Sequence, residues 1–233
     1  MDKITRHDLK TDKFAQEVGH TVEFLSLHRG QAARYGAIAA VVLAVAIGGY
    51  FYMKYQKGVR QRELRAASEI YEASVGTAPA DNPYLTMFPT QAEKDRAVDK
   101  AMGDLAARYA GKDEGAIARY YLAIIAADQG RMLESEKAFQ EVADTGDVNY
   151  ASLAKFALAQ MYQAQGKTAQ AEQLLRGLVE KPTVMVSKEQ ATIALGRLLG
   201  PTKPAEARKL LEPLRSERSA VSRAALTALS EIK

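Results

Sequence analysis

The pattern of apolar and polar positions divides the chain into three segments. One run, at 36–53, reads GAIAAVVLAVAIGGYFYM, eighteen residues without a charge, a side-chain amide or a proline. A helix of this length spans roughly 27 Å, close to the hydrocarbon thickness of a bilayer. A core helix of a soluble protein is the alternative, but it would carry a polar stripe. The pattern predicts a transmembrane helix over 35–53, a tail at 1–34 and a domain at 54–233.

The tail predicts a short helix of its own. Its apolar residues Phe14, Val18, Val22 and Leu25 are spaced by three or four positions, which is typical of an amphipathic helix. This helix would lie on the membrane surface or dock on a partner, or the tail would be a loosely ordered leader. The tail is too long and too acidic for a cleavable signal peptide, so we expect an uncleaved signal-anchor.

Small residues recur every four positions within the apolar run, at Gly36, Ala40, Ala44 and Gly48. They lie along one side of the predicted helix, where small side chains let a second helix approach closely. This stripe predicts packing against another transmembrane helix, in a homo-oligomer or in a complex with another membrane protein. The alternative is that the register arises by chance from the abundance of alanine.

The charges beside the predicted span leave its orientation ambiguous. The N-terminal side carries Arg29 and Arg34, and the C-terminal side carries Lys54, Lys57, Arg60, Arg62 and Arg65. Taken alone, the positive-inside rule places the large domain in the cytoplasm. Counting every Lys and Arg of the tail gives six against five, which favours neither orientation.

The large domain reads as helical throughout. The helical pattern continues beyond the span to Val75, and one glycine and three prolines then predict an irregular loop over 76–90. Thr90 and Glu93 form a capping box that opens the next helix. The domain therefore begins with two helices joined by this loop.

From there the pattern repeats with a period of 36 residues, the distance between the helix-breaking Gly130 and Gly166. Aligned on these glycines, the apolar and small positions of the two units coincide: Leu122/Leu158, Ala123/Ala159, Ser135/Ala171 and Phe139/Leu175. A further 36 residues on, the pattern continues at Ala207, Leu210, Leu211 and Leu214. We expect an all-α solenoid of about four helical hairpins, closed by a capping helix from about Glu217 to Ile232.

Composition excludes several classes of function for this domain. Residues 63–233 hold 22 basic and 23 acidic residues, which argues against a nucleic-acid surface. There is no cysteine, and the three histidines, His7, His20 and His28, lie in the tail. No phosphate-binding loop or nucleophile motif occurs. We expect no enzyme activity, cofactor or metal site, and we interpret acidic pairs such as Glu134/Glu136, beside Arg131 and Lys137, as solvated faces with local ion pairs.

The period, with small residues at the helix crossing and a large apolar residue four positions later, resembles the tetratricopeptide repeat. The scaffold positions that carry this resemblance are Gly130, Phe139, Leu158, Ala159, Tyr162, Gly166, Ala171, Pro182 and Ala207. The resemblance implies paired helices that each bury the face of a neighbour. A generic helical bundle is the alternative.

The whole layout, a tail, one uncleaved span and a short degenerate repeat array, resembles the YfgM-type proteins of Gram-negative bacteria. These are described as ancillary subunits of the SecYEG translocon, related in their repeats to the cell-division coordinator CpoB. The resemblance implies a single-pass protein of the inner membrane with periplasmic repeats, and as partners translocon subunits, periplasmic chaperones or client polypeptides. The alternatives are a scaffold for another envelope complex, in cell division or secretion, and a cytoplasm-facing peptide receptor.

Overall fold

The computed structural model of the chain describes residues 29–76, 87–217 and 219–232. The amphipathic helix predicted at Phe14 to Leu25 lies outside these residues. The chain divides into two compact units, Met1–Gly58 and Val59–Lys233.

In the first unit the apolar run is helical and exposed. It belongs to α1, Arg29–Glu72, which continues to the C-terminal side of the run as predicted but ends at Glu72, so that Val75, predicted to be helical, lies in a short strand. Its 18-residue apolar window has a mean hydropathy of 2.0, and none of it is buried. By length and composition α1 could cross a membrane, and it is the one such helix among the described residues.

The second unit is built almost entirely of helices, as predicted. After α1 these are α2 Gln91–Arg108, α3 Asp113–Asp128, α4 Met132–Thr145, α5 Val148–Ala164, α6 Thr168–Glu180, α7 Lys188–Leu199, α8 Pro204–Leu211 and α9 Ser219–Ser230, with a 3-10 turn at Glu212–Ser216. Side-chain caps open several of them. The hydroxyl of Thr90 accepts the Glu93 N–H at 3.2 Å, and that of Ser187 accepts the Gln190 N–H at 3.1 Å.

The segment predicted as an irregular loop departs from that prediction at one end. Met87–Phe88 (β2) pairs in parallel with Ser74–Val75 (β1), which directly follows α1. The Gly76 N–H extends this pairing with a hydrogen bond of 2.9 Å to the Phe88 carbonyl. The local pattern gives no sign of the pair, because strands of two residues depend on hydrogen bonds between distant segments.

Four hairpins and a cap make up the second unit, as the repeat pattern predicts. The hairpins are residues 59–72 of α1 with α2, then α3 with α4, α5 with α6, and α7 with α8, while α9 packs on the last pair. Three apolar clusters hold them together, centred on Met102, on Phe139 with Leu158, and on Leu195 with Leu199. Each cluster takes side chains from successive hairpins, so each hairpin buries the apolar face of its neighbour.

The turns inside the two central hairpins require glycine. Gly130 and Gly166 have φ values of 76° and 73°, in the left-handed region that residues with a Cβ avoid. Both are the helix-breaking residues predicted from the sequence, and each lies two positions after the last residue of its helix, Asp128 or Ala164.

The last hairpin departs from the 36-residue alignment. Ala207 and Leu211 are fully buried at the positions equivalent to Ala171 and Leu175. However, α8 has eight residues where α6 has thirteen, and Leu214 lies in the 3-10 turn, although its equivalent Leu178 is helical. The physical reason is Pro213, which has no N–H and clashes with the preceding turn of a helix.

At Gly196 the helices α7 and α8 cross in close contact. A Cβ at this position would lie 2.7 Å from Cγ of Leu211, a side chain that is completely buried. By contrast, a Cβ at Gly177 in α6 would meet no atom within 4 Å. The two helical glycines therefore provide a matched pair for testing this crossing.

We expect Gly196→Ala to lower the melting temperature and Gly177→Ala to raise it. Overpacking costs about 1–3 kcal/mol, whereas a helical Gly→Ala change in open space gains about 1 kcal/mol. Thermal unfolding of the full chain in detergent, followed by circular dichroism, measures both shifts. A Gly196→Ala protein that melts at or above the parent would contradict the close crossing.

Candidate protein-interaction surface

The hairpins present two faces with different chemistry. We call the first-helix face the one formed by residues 59–72 of α1 together with α3, α5, α7 and α9. Along it α3 contacts α5, and α7 contacts α9. The second-helix face is formed by α2, α4, α6 and α8.

Aromatic side chains connect three helices of the first-helix face. The ring of Tyr71 in α1 lies 5.0 Å from that of Tyr121 in α3, and Tyr120 lies 5.6 Å from Tyr150 in α5. Tyr120 and Tyr121 are themselves 6.2 Å apart, so the rings form a continuous row. We call this row the tyrosine strip. Tyr120 also packs edge-on against the buried Phe139, which ties the strip to the core.

The tyrosines of the strip are half-buried. Burial is the main cause that raises the pKa of the Tyr71, Tyr120 and Tyr150 hydroxyls above its ordinary value. The hydroxyls are therefore neutral at physiological pH and can donate hydrogen bonds. Rings with a neutral polar tip suit the binding of polypeptide segments, because they combine apolar contact area with hydrogen bonding.

A groove of about 430 Å³ lies further along the same face, between α5, α7 and α9. Its apolar side chains include Phe156, Ile193 and Val221. Its polar rim consists of Gln160, Gln163, Ser187, Gln190 and Arg197. None of the described lining residues is acidic, so the groove combines an apolar floor with amide groups that can bind a peptide backbone.

Ion pairs connect the helices of the second-helix face. Nζ of Lys167 lies 3.7 Å from Oε1 of Glu136, and Nζ of Lys203 lies 3.0 Å from Oε2 of Glu172. Lys203 follows Lys167 by 36 residues, and Glu172 follows Glu136 by the same distance. Each lysine is the N-cap residue of its helix. Arg131, the N-cap residue of α4, has a longer contact of 4.0 Å to Asp99 in α2.

These ion pairs between hairpins were not predicted from the sequence. Glu134 does pair locally, with Arg131, but Glu136 reaches Lys167 of the next hairpin and Glu141 reaches Arg119 of α3. The 36-residue spacing of Arg131, Lys167 and Lys203 could have indicated this repeat of ion pairs from the sequence.

Glu172 contacts two basic residues of the second-helix face. Its Oε1 accepts hydrogen bonds from Arg176 at 2.7 Å and from Lys203 at 3.0 Å, and Arg176 also reaches Glu206 at 2.6 Å. These hydrogen bonds hold the pKa of the Glu172 carboxyl below its ordinary value. The carboxylate therefore joins α6 to α8.

A more buried ion pair joins α1 to α3. Nε of Arg60 donates to Oε2 of Glu114 at 2.9 Å, with 19% of the Arg60 side chain and 5% of the Glu114 side chain exposed. Arg60 was counted with the basic residues beside the predicted span. In the second unit it instead holds the C-terminal part of α1 on the first turn of α3.

The scaffold positions proposed from the sequence occupy several environments. Five are buried: Phe139, Leu158, Ala159, Ala171 and Ala207. Tyr162 is half-buried, with Nζ of Lys167 5.1 Å from its ring centroid, and Pro182 is exposed just after α6. In the first unit, Gly36, Ala40, Ala44 and Gly48 are all exposed along α1.

Two absences concern the polar groups of the described residues. No group of three His, Cys, Asp or Glu side chains there could hold a metal ion. Each buried side-chain nitrogen or oxygen atom in that part of the chain has a hydrogen-bond partner.

A comparison with models of protein families gives a result that agrees with this architecture. The model of a tetratricopeptide repeat-like domain matches residues 32–182, from the apolar part of α1 to the residues just after α6. The chain has no significant match among curated proteins or among solved structures. Repeat domains of this kind are generally non-catalytic scaffolds that bind other proteins. Because the match extends over well more than half of its length, the chain belongs to the tetratricopeptide repeat-like domain family.

Proposed function

We propose that this protein is a membrane-anchored, non-catalytic scaffold for protein–protein interactions. The observation that carries the proposal is the family match at 32–182, which includes the apolar part of α1 together with the first three hairpins. The apolar helix is therefore part of the unit that the family shares. In this proposal α1 anchors the chain in the membrane and the first-helix face binds segments of other proteins.

We further propose that the membrane is the bacterial inner membrane and that the scaffold is an ancillary subunit of the Sec translocon. Support comes from the resemblance of the layout to the YfgM-type proteins. The repeats then face the periplasm and link the translocon to chaperones or client polypeptides. The stripe of Gly36, Ala40, Ala44 and Gly48 packs against a transmembrane helix of the partner or of a second copy.

A cytoplasm-facing peptide receptor is the second candidate. The observation that favours it is the excess of basic residues just C-terminal to the apolar run, from Lys54 to Arg65. An assembly scaffold for another envelope complex, in cell division or secretion, would have the same architecture with a different partner.

Site-specific photo-crosslinking in cells tests these proposals together. A photoreactive phenylalanine analogue replaces Tyr121 in the strip, Gln160 in the groove or, as the control, the exposed Lys209 of α8 on the second-helix face. We expect adducts with translocon subunits or periplasmic chaperones from Tyr121 and Gln160, and few from Lys209.

Other adducts would identify the alternatives. Cytosolic proteins crosslinked at Tyr121 or Gln160 would mean that the repeats face the cytoplasm. Components of cell-division or secretion complexes would identify the other envelope scaffold. Adducts confined to Lys209 would contradict the assignment of binding to the first-helix face.

A further inference from the structure

A carboxylate lies near each end of the tyrosine strip. Asp128 is the last residue of α3, and Asp147 is the N-cap residue of α5. The negative charge of Asp128 contributes, after burial, to raising the pKa of Tyr71, and Asp147 contributes in the same way to that of Tyr150. Asp128 and Tyr71 also line one cavity of about 460 Å³, whose other charged lining residues are Asp95 and Lys94. The strip therefore ends close to negative charge on both sides.

Within the described residues neither carboxylate is neutralised by an ion pair. Asp147 accepts the N–H of Asn149 at 2.8 Å as a helix cap, and no Lys or Arg in the described part of the chain lies within ion-pair distance of it or of Asp128. Arg131, close to Asp128 in the chain, contacts Glu134 and Asp99. Nζ of Lys94 lies 6.0 Å from the ring centroid of Tyr71, at the outer limit of a cation–π contact.

We propose that the tyrosine strip binds a basic, extended segment of a partner protein, with Lys or Arg side chains directed at Asp128 and Asp147. The inference rests on the proposed function, in which the first-helix face binds polypeptide segments. Arg and Lys suit the site because their cationic groups pair with carboxylates and contact aromatic faces, while their stems cover apolar surface. The distances between successive ring centroids, 5.0, 6.2 and 5.6 Å, limit the row to the length of at most about five residues of extended chain.

The test measures the binding of three fluorescein-labelled peptides to the full chain in detergent micelles by fluorescence anisotropy. The peptides are three repeats of Ser-Leu-Lys, of Ser-Leu-Gln and of Ser-Leu-Glu, which share apolar content and differ in charge. The variant Asp128→Asn/Asp147→Asn removes both carboxylates, and asparagine keeps the helix cap at the second site. The control Asp104→Asn removes an exposed carboxylate from α2, on the second-helix face.

We expect the Lys peptide to bind about tenfold tighter than the Gln peptide, equivalent to about 1.4 kcal/mol, and the Glu peptide to bind more weakly than both. The double variant should bring the Lys and Gln peptides to within about twofold of each other, because the charge that distinguishes them is gone. Asp104→Asn should leave the preference unchanged.

Equal binding of the Lys and Gln peptides, or a preference that survives in the double variant, would overturn this inference and leave the proposed function standing. Failure of all three peptides to bind would also overturn it. The proposed function is decided separately, by the adducts at Tyr121 and Gln160, which depend on natural partners and on no chosen peptide.

Discussion

Replacing both Ala40 and Ala44 by arginine should release the protein from the membrane. Both residues lie within the apolar part of α1, where the 18-residue window has a mean hydropathy of 2.0. Each arginine at the centre of a spanning helix costs about 2.5–3.5 kcal/mol, so the pair would remove most of the advantage of insertion. The experiment is fractionation of cells followed by alkaline extraction and flotation of the membranes.

The matched control for this experiment is Ala40→Ile/Ala44→Ile. It fills the same positions with apolar side chains, so the protein should stay in the membrane fraction. Because isoleucine also blocks close helix approach, loss of a copurifying membrane partner in this variant would support the small-residue stripe as a packing face. An arginine variant that still floats with membranes would show that α1 is not the anchor.

The second large effect is expected from the buried ion pair. Replacing Arg60 by methionine leaves the Glu114 carboxylate in place, in a residue that is 3% exposed. Breaking a buried pair in this way costs about 3–5 kcal/mol, and we expect about 3 kcal/mol because the Arg60 side chain keeps some contact with solvent. Denaturant unfolding of the full chain in detergent, followed by circular dichroism, measures the loss.

Two variants test the origin of that loss. The double variant Arg60→Met/Glu114→Leu removes both charges and should recover most of the stability, because no unpaired charge remains buried. Arg108→Met breaks the exposed pair with Glu63, also between α1 and its neighbour, and should cost less than about 1 kcal/mol. Equal losses for Arg60→Met and Arg108→Met would contradict the special role of the buried pair.

Local patterns were sufficient to predict several elements. The apolar run, the glycine breaks and the capping residue Thr90 each act within one or two turns of helix, so they can be read from neighbouring positions. The 36-residue period also predicted which side chains face the core, for example Leu158. At Pro213 the period failed, because a single residue ended α8 early and placed Leu214 in a 3-10 turn.

The interaction surface was not predicted residue by residue. Tyr71, Tyr121 and Tyr150 are far apart in the chain and share no repeat position, and only the stacking of three hairpins brings their rings into one row. The pairing of Arg60 with Glu114 depends in the same way on how α1 lies against α3. Side chains that meet through tertiary packing leave no local signal in the apolar pattern.

The sequence by itself therefore determined the class of this protein: an apolar helix long enough to span a bilayer, followed by helical hairpins of a tetratricopeptide type. These features depend on hydrophobic period, helix propensity and turn chemistry, which act over short distances along the chain. Only the tertiary structure decided that the tyrosine rings meet along the first-helix face and that the repeated ion pairs of Lys167 and Lys203 lie on the second-helix face. The physical reason is that both surfaces are made by contacts between residues of different helices, whose distances are set by the packing of the core.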